Sequence, residues 1–373
     1  MSTYGARQAP SAFSTPASIT LFRRLTWEGT VPLEIRVDAK ELPANSDRGL
    51  ECYFMQAPRV SYLPLLMPEI KRFLMDVVFD EAAGKMLKEE DWWFERDDGS
   101  LLKWHWPIGL LYDNSIISAS IRLSPSPSSA MAQTVPLRLI LHLASPPTDK
   151  LLLSPSADSC KQAFMGQLKE ADFIRWGNTK RMTGLRKAEQ DGIWEGIKER
   201  RLPVSIYLVG FTSNPTSPPT TDNFDDYWRV ASKVTPTTSP TRSYSPPPPP
   251  SSASVHARPP SADPNAAAPD RDGAYSVRSV PVRIYLPEGP VLQDLVPPVL
   301  EDGGPHTLAT FLSTHLPLLF PPERSPSSRT LAYPLVQGVL CPPEAEMAWL
   351  GACMAGADGW VNVCIGLSKQ GVR

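Results

Sequence analysis

The sequence predicts an α+β protein in which two domains of mixed strands and helix flank a helix-rich domain. Near each end of the chain, stretches of alternating apolar residues surround one amphipathic helical stretch, in the order strand, strand, helix, strand. Residues 155–235, between them, show helical periodicity instead. Because strand, strand, helix, strand is the element order of a β-grasp, or ubiquitin-like, domain, we predict two such domains separated by helices.

The first β-grasp domain is predicted to cover residues 17–146. Residues 19–37 are expected to form two strands around a turn, because LFRRLTW and VPLEIRV flank the tripeptide Glu28-Gly29-Thr30. A further extended piece is expected from Cys52 to Met55. Pro68 is expected to open a helix, since proline suits a first helical turn and a 3.6-residue apolar period follows it.

The rest of this domain is predicted to be extended. Strands are expected in KWHWPIGLLY (103–112) and LRLILHL (137–143), on either side of a Ser/Pro/Ala-rich insertion at 115–134. We expect the insertion to lie at the surface, where added loop residues are tolerated.

The helix-rich domain, 155–235, begins with a helix over 155–176 that carries Lys169. Ser156 is a candidate N-cap, and Asp158 lies in the first turn, where the helix dipole favours negative charge. At about 100° per residue, one apolar face is predicted, formed by Ala157, Cys160, Phe164, Leu168, Ala171 and Ile174. Lys169 then points to solvent, within reach of Asp172.

The same domain is expected to contain a second helix over about 178–200 and a short one around Phe224–Val230, interrupted by an insertion at 201–222. A Pro/Ser-rich linker is predicted for 236–274, because so few large apolar side chains cannot offset the entropy of ordering. The second β-grasp domain then covers 275–373. Its strands are expected at 280–286, 291–296, 333–340 and 360–367, with a helix capped by Thr307 and a short helix around Met347–Leu350.

The composition of the chain limits which kinds of partner, cofactor and cellular compartment are expected. The net charge of −2 gives no general attraction to nucleic acid, so we expect no nucleic-acid partner. The five cysteines show no CxxC pair and no zinc spacing, and their odd number favours a reducing compartment. Residues 1–16 read as a disordered tail rather than a signal peptide, and no apolar run approaches the roughly 18 residues of a membrane span. We expect a cytoplasmic protein without metal or organic cofactor.

Several stretches, in order along the chain, are similar to the autophagy protein 5 family, here in a fungal type with insertions. The most specific is Trp104-His105-Trp106-Pro107-Ile108-Gly109. The stretches are APRVSYLPLL (57–66), WWFERDDGSLLKWHWPIGLLYD (92–113), AFMGQLKEAD (163–172), NFDDYWRVASKV (223–234), VPVRIYL (280–286), PHTLATFL (305–312) and VQGVLCPPEAEMAWL (336–350).

The resemblance implies two ubiquitin-like folds around a helix-rich domain and a scaffold without catalytic activity of its own. By its position in MGQLKEAD, Lys169 is then the acceptor of an isopeptide bond to the ubiquitin-like autophagy protein 12. It also implies conjugating enzymes as partners and a groove for a helix of autophagy protein 16, whose coiled coil dimerises the assembly. Such a complex acts like an E3 ligase, promoting lipidation of autophagy protein 8 with phosphatidylethanolamine as a peripheral component of the preautophagosomal, or isolation, membrane.

To form the isopeptide bond, this protein must present an exposed amine on a rigid helix. The amine must also be activated, because a free lysine, with a pKa of about 10.4, is almost wholly charged at pH 7. Asp172 would favour the charged form, so activation must come from the conjugating enzyme. Lys161, one face away, is a conceivable neighbouring acceptor.

Two other functions stay open. One is a thiol enzyme of a ubiquitin-like pathway that uses Cys160 or Cys341, and the other is an adaptor acting through the Pro-rich linker. His105 is expected to pack in a core, since no partner stands at ligand spacing. A basic cluster of Lys180, Arg181, Arg186, Lys187, Arg200 and Arg201 could touch anionic lipid weakly. Trp27, Trp176 and Trp228 are possible groove aromatics, although core positions are commoner for tryptophan.

Overall fold

The structure is a computed structural model. It describes residues 16–42, 52–79, 87–122, 135–151, 156–199, 223–236, 273–322 and 331–368. The predicted tail up to residue 15, residues 123–134 of the 115–134 insertion, the whole 201–222 insertion and the linker over 237–272 lie outside the described residues.

The first domain is built on a four-stranded sheet of order β2-β1-β4-β3. Strand β1 pairs antiparallel with β2 and parallel with β4, and β3 pairs antiparallel with β4. This mixed sheet with helix α2 against it confirms the first β-grasp domain. Its elements are α1 (Pro16–Glu28), β1 (Thr30–Val37), β2 (Tyr53–Pro58), α2 (Leu63–Val77), β3 (Trp93–Arg96), α3 (Ile108–Arg122) and β4 (Leu137–His142).

The first predicted strand, LFRRLTW, is wrong, because residues 16–28 form helix α1. Ile19, Arg23 and Trp27 are buried at a spacing of four, which is a helical face and not a strand's alternation. Leu21 and Leu25 remain exposed on the other side. The opening hairpin of the domain is therefore β1 with β2, and the predicted extended piece at 52–55 lies at the start of β2.

Two further expectations for this domain need correction. Helix α2 begins at Leu63, so Pro68 lies inside the helix and does not open it. The KWHWPIGLLY stretch is not a strand, since helix α3 begins at Ile108 and runs through the start of the predicted insertion to Arg122. Its apolar residues are buried on two sides, by the first sheet and by Tyr285 and Cys364 of the second, and such a run lacks the one-sided stripe that marks a helix.

The middle domain contains helices α4 (Ala157–Trp176), α5 (Lys180–Thr183), α6 (Lys187–Lys198) and α7 (Phe224–Ala231). The expected helix at 178–200 is thus two helices, divided at Gly184–Arg186, although Met182, Leu185 and Ile193 are buried as predicted. The short helix around Tyr227 is confirmed.

The second domain carries a five-stranded sheet of order β6-β5-β9-β7-β8, with β5 and β9 parallel at its centre. Its elements are β5 (Val280–Tyr285), β6 (Val291–Val296), α8 (Leu308–His315), β7 (Ala332–Val336), β8 (Val339–Leu340), α9 (Met347–Cys353) and β9 (Val361–Leu367). The predicted strand at 333–340 is a hairpin, because Gln337 and Gly338 both have positive φ, 53° and 77°, and turn the chain back. Thr307 caps α8 as expected, accepting from the Thr310 N–H.

Helix α1, in the first domain, contacts the end of α9 in the second domain. The guanidinium of Arg23 is buried and donates to three carbonyl oxygens at the end of α9, those of Gly351, Ala352 and Ala355, at 3.1, 2.8 and 2.6 Å. The last carbonyl oxygens of a helix have no donor within the helix, so Arg23 satisfies those of Gly351 and Ala352 together with that of Ala355 just beyond α9. Arg23 thereby ties helix α1 to the end of α9 in the second domain.

Candidate functional site

Helix α4 starts and stops where its sequence indicates. The Ser156 hydroxyl oxygen accepts from the Ser159 N–H at 3.0 Å, which satisfies one of the free donors of the first turn. The helix ends at Gly177, whose φ of 71° is the left-handed conformation that glycine adopts without strain. The expected N-cap and the length of the helix are therefore confirmed.

Helix α4 has one buried face and one exposed face. Cys160, Phe164, Leu168, Ala171 and Ile174 are buried, as the periodicity predicts, while Ala157 in the first turn is exposed. Lys169 lies on the exposed face, beside the equally exposed Gly166 and Glu170.

The Lys169 ammonium forms no hydrogen bond or ion pair within the part of the chain that the structure describes. The expected pairing with Asp172 is wrong. Asp172 is fully buried and its Oδ2 accepts from the Met182 N–H at 2.9 Å, which ties α4 to α5. Burial raises the pKa of this carboxyl, and its hydrogen bond to the Met182 N–H acts in the opposite direction.

The neighbouring lysine, Lys161, is placed differently. Its Nζ lies 2.8 Å from Oδ1 of Asp191 on helix α6, so its amine is engaged in an ion pair. Of the two lysines on α4, only Lys169 presents an amine without a described partner.

One side of α4 is held against the second β-grasp domain around Lys169. The carboxylate of Glu170 lies 3.2 Å from Nη2 of Arg283 on β5 and 3.1 Å from the side-chain amide of Gln293 on β6. The indole of Trp360 donates to the Gln167 carbonyl oxygen at 3.2 Å, and the Arg283 guanidinium stacks over that indole at 3.8 Å. These contacts bracket Lys169 by one and two residues and fix the orientation of its turn.

A second set of contacts holds the end of α4. Arg175 is buried and donates to the carbonyl oxygen of Gly359, in the turn before β9. The Arg278 N–H donates in turn to the Arg175 carbonyl oxygen at 2.7 Å. Burial lowers the pKa of the Arg175 guanidinium to about 9. The prediction overlooked Arg175, although a charge seven residues after Leu168 on the apolar stripe is a signal for such a buried contact.

The thiols of Cys160 and Cys341 lack the properties of a catalytic nucleophile. Cys160 and Cys341 are buried, and burial raises the pKa of both. A raised pKa disfavours the reactive thiolate. His105 packs edge-on against Trp104 at 5.5 Å, and burial lowers its pKa; it lies outside the one metal-ligand cluster found among the described residues.

The candidate aromatic and basic residues are placed as follows. Trp27 is a core residue, stacked on Tyr227 at 4.2 Å, while Trp176 and Trp228 are partly buried. The basic residues at 180, 181, 186 and 187 lie along α5 and the start of α6, with Arg181 stacked over Trp176 at 3.7 Å, whereas 200 and 201 lie outside the described residues. Among the helices that the structure describes, none has the length and apolar content to cross a membrane.

The fold and the site define a three-domain protein of the ubiquitin-like class, in which two β-grasp sheets hold a helical bundle, and α4 of that bundle exposes one lysine amine that has no partner among the described residues. Sequence models of one family match its three parts: "Autophagy protein ATG5, UblA domain" at 26–143, the family's "alpha-helical bundle region" at 157–204 and its "UblB domain" at 279–365. The chain belongs to the autophagy protein 5 family, and its role is in autophagy.

Relatives and a solved structure agree with this placement. The chain is 28% identical to autophagy protein 5 of Penicillium rubens, over 93% of this chain and 97% of that protein. It is 29% identical to autophagy protein 5 of Aspergillus clavatus, over 94% of this chain and 98% of that protein. The crystal structure of Kluyveromyces marxianus Atg5 shares the fold with a TM-score of 0.60 at 20% identity, covering 92% of this chain and 98% of that one.

Proposed function

We propose that Lys169 is the residue through which this protein is joined to the ubiquitin-like autophagy protein 12. The observation that carries the proposal is the state of its amine, which faces solvent without a described partner on a helix fixed by Glu170, Gln167 and Arg175. An acceptor needs access for an activated partner and a reproducible direction of approach. Lys169 meets both requirements, whereas the amine of Lys161 would first have to leave Asp191.

The reaction is an acyl transfer. The neutral amine of Lys169 attacks the carbonyl carbon of a thioester between the C-terminal glycine of autophagy protein 12 and a cysteine of the conjugating enzyme. The new C–N bond is the isopeptide bond, the C–S bond breaks, and the thiol of the conjugating enzyme leaves. The amine gives up a proton, and the conjugating enzyme must supply its acceptor, because the structure describes no base hydrogen-bonded to Lys169.

The conjugate is the working form of the proposal. Together with autophagy protein 16, bound as a helix in a groove and dimerised through its coiled coil, it acts E3-like on the lipidation of autophagy protein 8 with phosphatidylethanolamine. The protein itself is then a non-catalytic, cytoplasmic subunit that reaches the isolation membrane peripherally. Family membership supports this assignment, and so do the buried thiols, since the two cysteines weighed as nucleophiles have raised pKa values.

The test is conjugation of the full chain in a reconstituted reaction with the autophagy protein 12 conjugating enzymes. Lys169→Arg is expected to keep the fold and to abolish the covalent adduct, because it removes only the nucleophile. Lys161→Arg is the matched control on the same helix, since arginine can keep the ion pair with Asp191. An adduct of unchanged intensity for Lys169→Arg on a denaturing gel would refute the assignment, and intact-mass analysis with mapping of the branched peptide would identify the true acceptor.

The same reaction separates the alternative functions. Alkylation of the thiols should leave the conjugate able to stimulate lipidation if the protein is a scaffold, and should stop activity if it is a thiol enzyme. Deleting the linker over 237–272 should be tolerated by a scaffold and not by a Pro-rich adaptor.

A further inference from the structure

Four ionisable side chains converge at one end of the first sheet, far from α4 in sequence. His142 is the last residue of β4, and β4 lies between β1 and β3. Asp38 and Glu41 follow β1: Asp38 caps a short 3-10 turn and Glu41 is the last residue of that turn. Glu95 lies on β3. The sheet order therefore brings carboxylates to both sides of one imidazole.

On one side of the ring, two carboxylates face the same nitrogen. Nδ1 of His142 lies 3.0 Å from Oε1 of Glu41 and 3.5 Å from Oδ2 of Asp38. The other oxygen of each carboxylate accepts a backbone N–H, from Lys40 for Asp38 and from Leu143 for Glu41. These backbone bonds fix both carboxylates so that the remaining oxygen of each points at Nδ1.

On the other side, the ring nitrogen Nε2 is shielded from solvent and lies 3.1 Å from Oε1 of Glu95, at ion-pair distance but without a hydrogen bond among the described residues. The imidazole stacks on the indole of Trp93 with centroids 3.9 Å apart and planes 10° apart. Trp93 is itself held by donating to the Ala144 carbonyl oxygen at 3.0 Å. The plane and direction of the ring are therefore set by its neighbours.

The cluster of Asp38, Glu41, Glu95 and His142 contains more acidic than basic side chains. Three carboxylates, each with about a quarter or less of its side chain exposed, surround one imidazole whose side chain is 10% exposed. Within the described ranges, no lysine or arginine lies at ion-pair distance from Asp38, Glu41 or Glu95. A cation bound between the carboxylates of Asp38 and Glu41 would offset the repulsion between their charges.

The donor atoms fit a transition-metal ion. Zinc bonds to nitrogen and oxygen are about 2.0–2.2 Å long, so the ligand atoms of a tetrahedral site stand about 3.4 Å apart. The two measured separations, 3.0 and 3.5 Å, lie on either side of that value, and one ligand atom from each of Asp38, Glu41 and His142 lies within 4.8 Å of the others. An imidazole donor disfavours calcium and magnesium, which take oxygen ligands.

We propose that the first β-grasp domain contains a zinc site. Asp38, Glu41 and Nδ1 of His142 supply three ligands, and water takes the fourth position on the solvent side. Oε1 of Glu95, 3.1 Å from Nε2 of His142, favours electrostatically the tautomer that carries its proton on Nε2, which leaves Nδ1 free for the metal. The bound ion links the end of β1 to the end of β4 and thereby stabilises the sheet.

The experiment is titration of the metal-stripped full chain with zinc chloride by calorimetry, followed by substitution with cobalt(II). We expect one ion per chain at this site, and a cobalt spectrum with the visible bands of a tetrahedral nitrogen and oxygen site without thiolate charge transfer. Asp38→Asn removes a ligand charge while its amide oxygen can still accept from the Lys40 N–H, so the fold is expected to persist and the binding to be lost. Glu95→Gln is expected to weaken binding about 10–100-fold, because it acts through His142.

The matched control is Asp294→Asn. Its Oδ2 lies 2.8 Å from Nε2 of His315, the other close histidine–carboxylate pair among the described residues, but it has no third ligand. Zinc binding should be unchanged in this variant. Absence of zinc binding by the wild type, a thiolate band in the cobalt spectrum, or equal affinity of the wild type and Asp38→Asn would each overturn the proposal and leave the cluster as a hydrogen-bonded network.

Discussion

Gly359 is the position where the packing of α4 against the second domain can be tested most directly. It lies in the turn before β9 with φ at 88°, in the left-handed region. A Cβ added there would stand 2.9 Å from the Ala171 Cβ and 3.1 Å from Nη1 of Arg175. Ala171 has no flexible side chain to withdraw, so the helix itself or the turn would have to move.

The expected cost of Gly359→Ala has two parts. The left-handed backbone costs about 1–2 kcal/mol for a residue with a Cβ. The steric overlap with α4 costs about 1–3 kcal/mol, the range for an extra methyl group in a packed interior. We therefore expect a loss of about 2–5 kcal/mol in the free energy that keeps α4 docked on β5 and β9.

Hydrogen exchange of the α4 backbone amides is the appropriate assay, because it reports local opening in a protein of several domains. Gly166→Ala is the matched control on the exposed face of the same helix, where an added Cβ meets nothing within 4 Å. Since alanine is the better helix former by about 1 kcal/mol, this variant should slow exchange in α4. If Gly359→Ala left the exchange of α4 as slow as the wild type, the close approach of the turn to the helix would be wrong.

Two further substitutions test buried polar contacts. Asp172→Ala should cost about 1–3 kcal/mol in a urea titration, because the buried Met182 N–H loses its acceptor, whereas Asp172→Asn keeps one. Since burial raises the pKa of Asp172, the stability that this group contributes is greatest at low pH and is lost as the pH rises through the pKa of the folded state. The free energy of unfolding of the wild type should therefore increase relative to that of Asp172→Asn as the pH falls. The opposite trend would contradict the burial of this carboxyl. Arg23→Met should cost about 1–3 kcal/mol for each carbonyl of α9 left unsatisfied, measured as a fall in the thermal midpoint. Arg24→Met removes exposed ion pairs with Glu28 and Asp225 and a stacking contact over Phe224, each worth at most about 1 kcal/mol. A loss as large as that of Arg23→Met would contradict the buried role of Arg23.

The helix of Lys169 shows what sequence reasoning predicts well. Its N-cap at Ser156, its buried face from Cys160 to Ile174 and the exposure of Lys169 all follow from local properties, namely capping chemistry and the 3.6-residue period. The strands β5, β6 and β9 were predicted for the same reason, since an alternating or short apolar run carries its own signal.

The secondary-structure predictions are wrong where a segment is buried on two sides, or where it is buried by residues far away in the sequence. Helix α3 packs against both sheets, so its first turns are buried on more than one side and imitate a buried strand. Helix α1 places Arg23 on its buried face because the end of α9 offers three carbonyl oxygens there, and no property of residues 16–28 announces them. The positive φ of Gln337 likewise depends on a hairpin that the apolar pattern of 333–340 conceals.

The sequence by itself determined the second β-grasp domain, the helical domain before it and the exposed lysine on α4, because each of these rests on periodicity and capping within one segment. The first β-grasp domain was predicted in class, but two of its expected strands are helices. Only the tertiary structure decided that Asp172 turns inward to the Met182 N–H, leaving Lys169 without a described partner. It alone also brought Asp38, Glu41 and Glu95 around His142. The physical reason is that these contacts depend on the order of strands and on the docking of helices, which join residues that local propensity treats as independent.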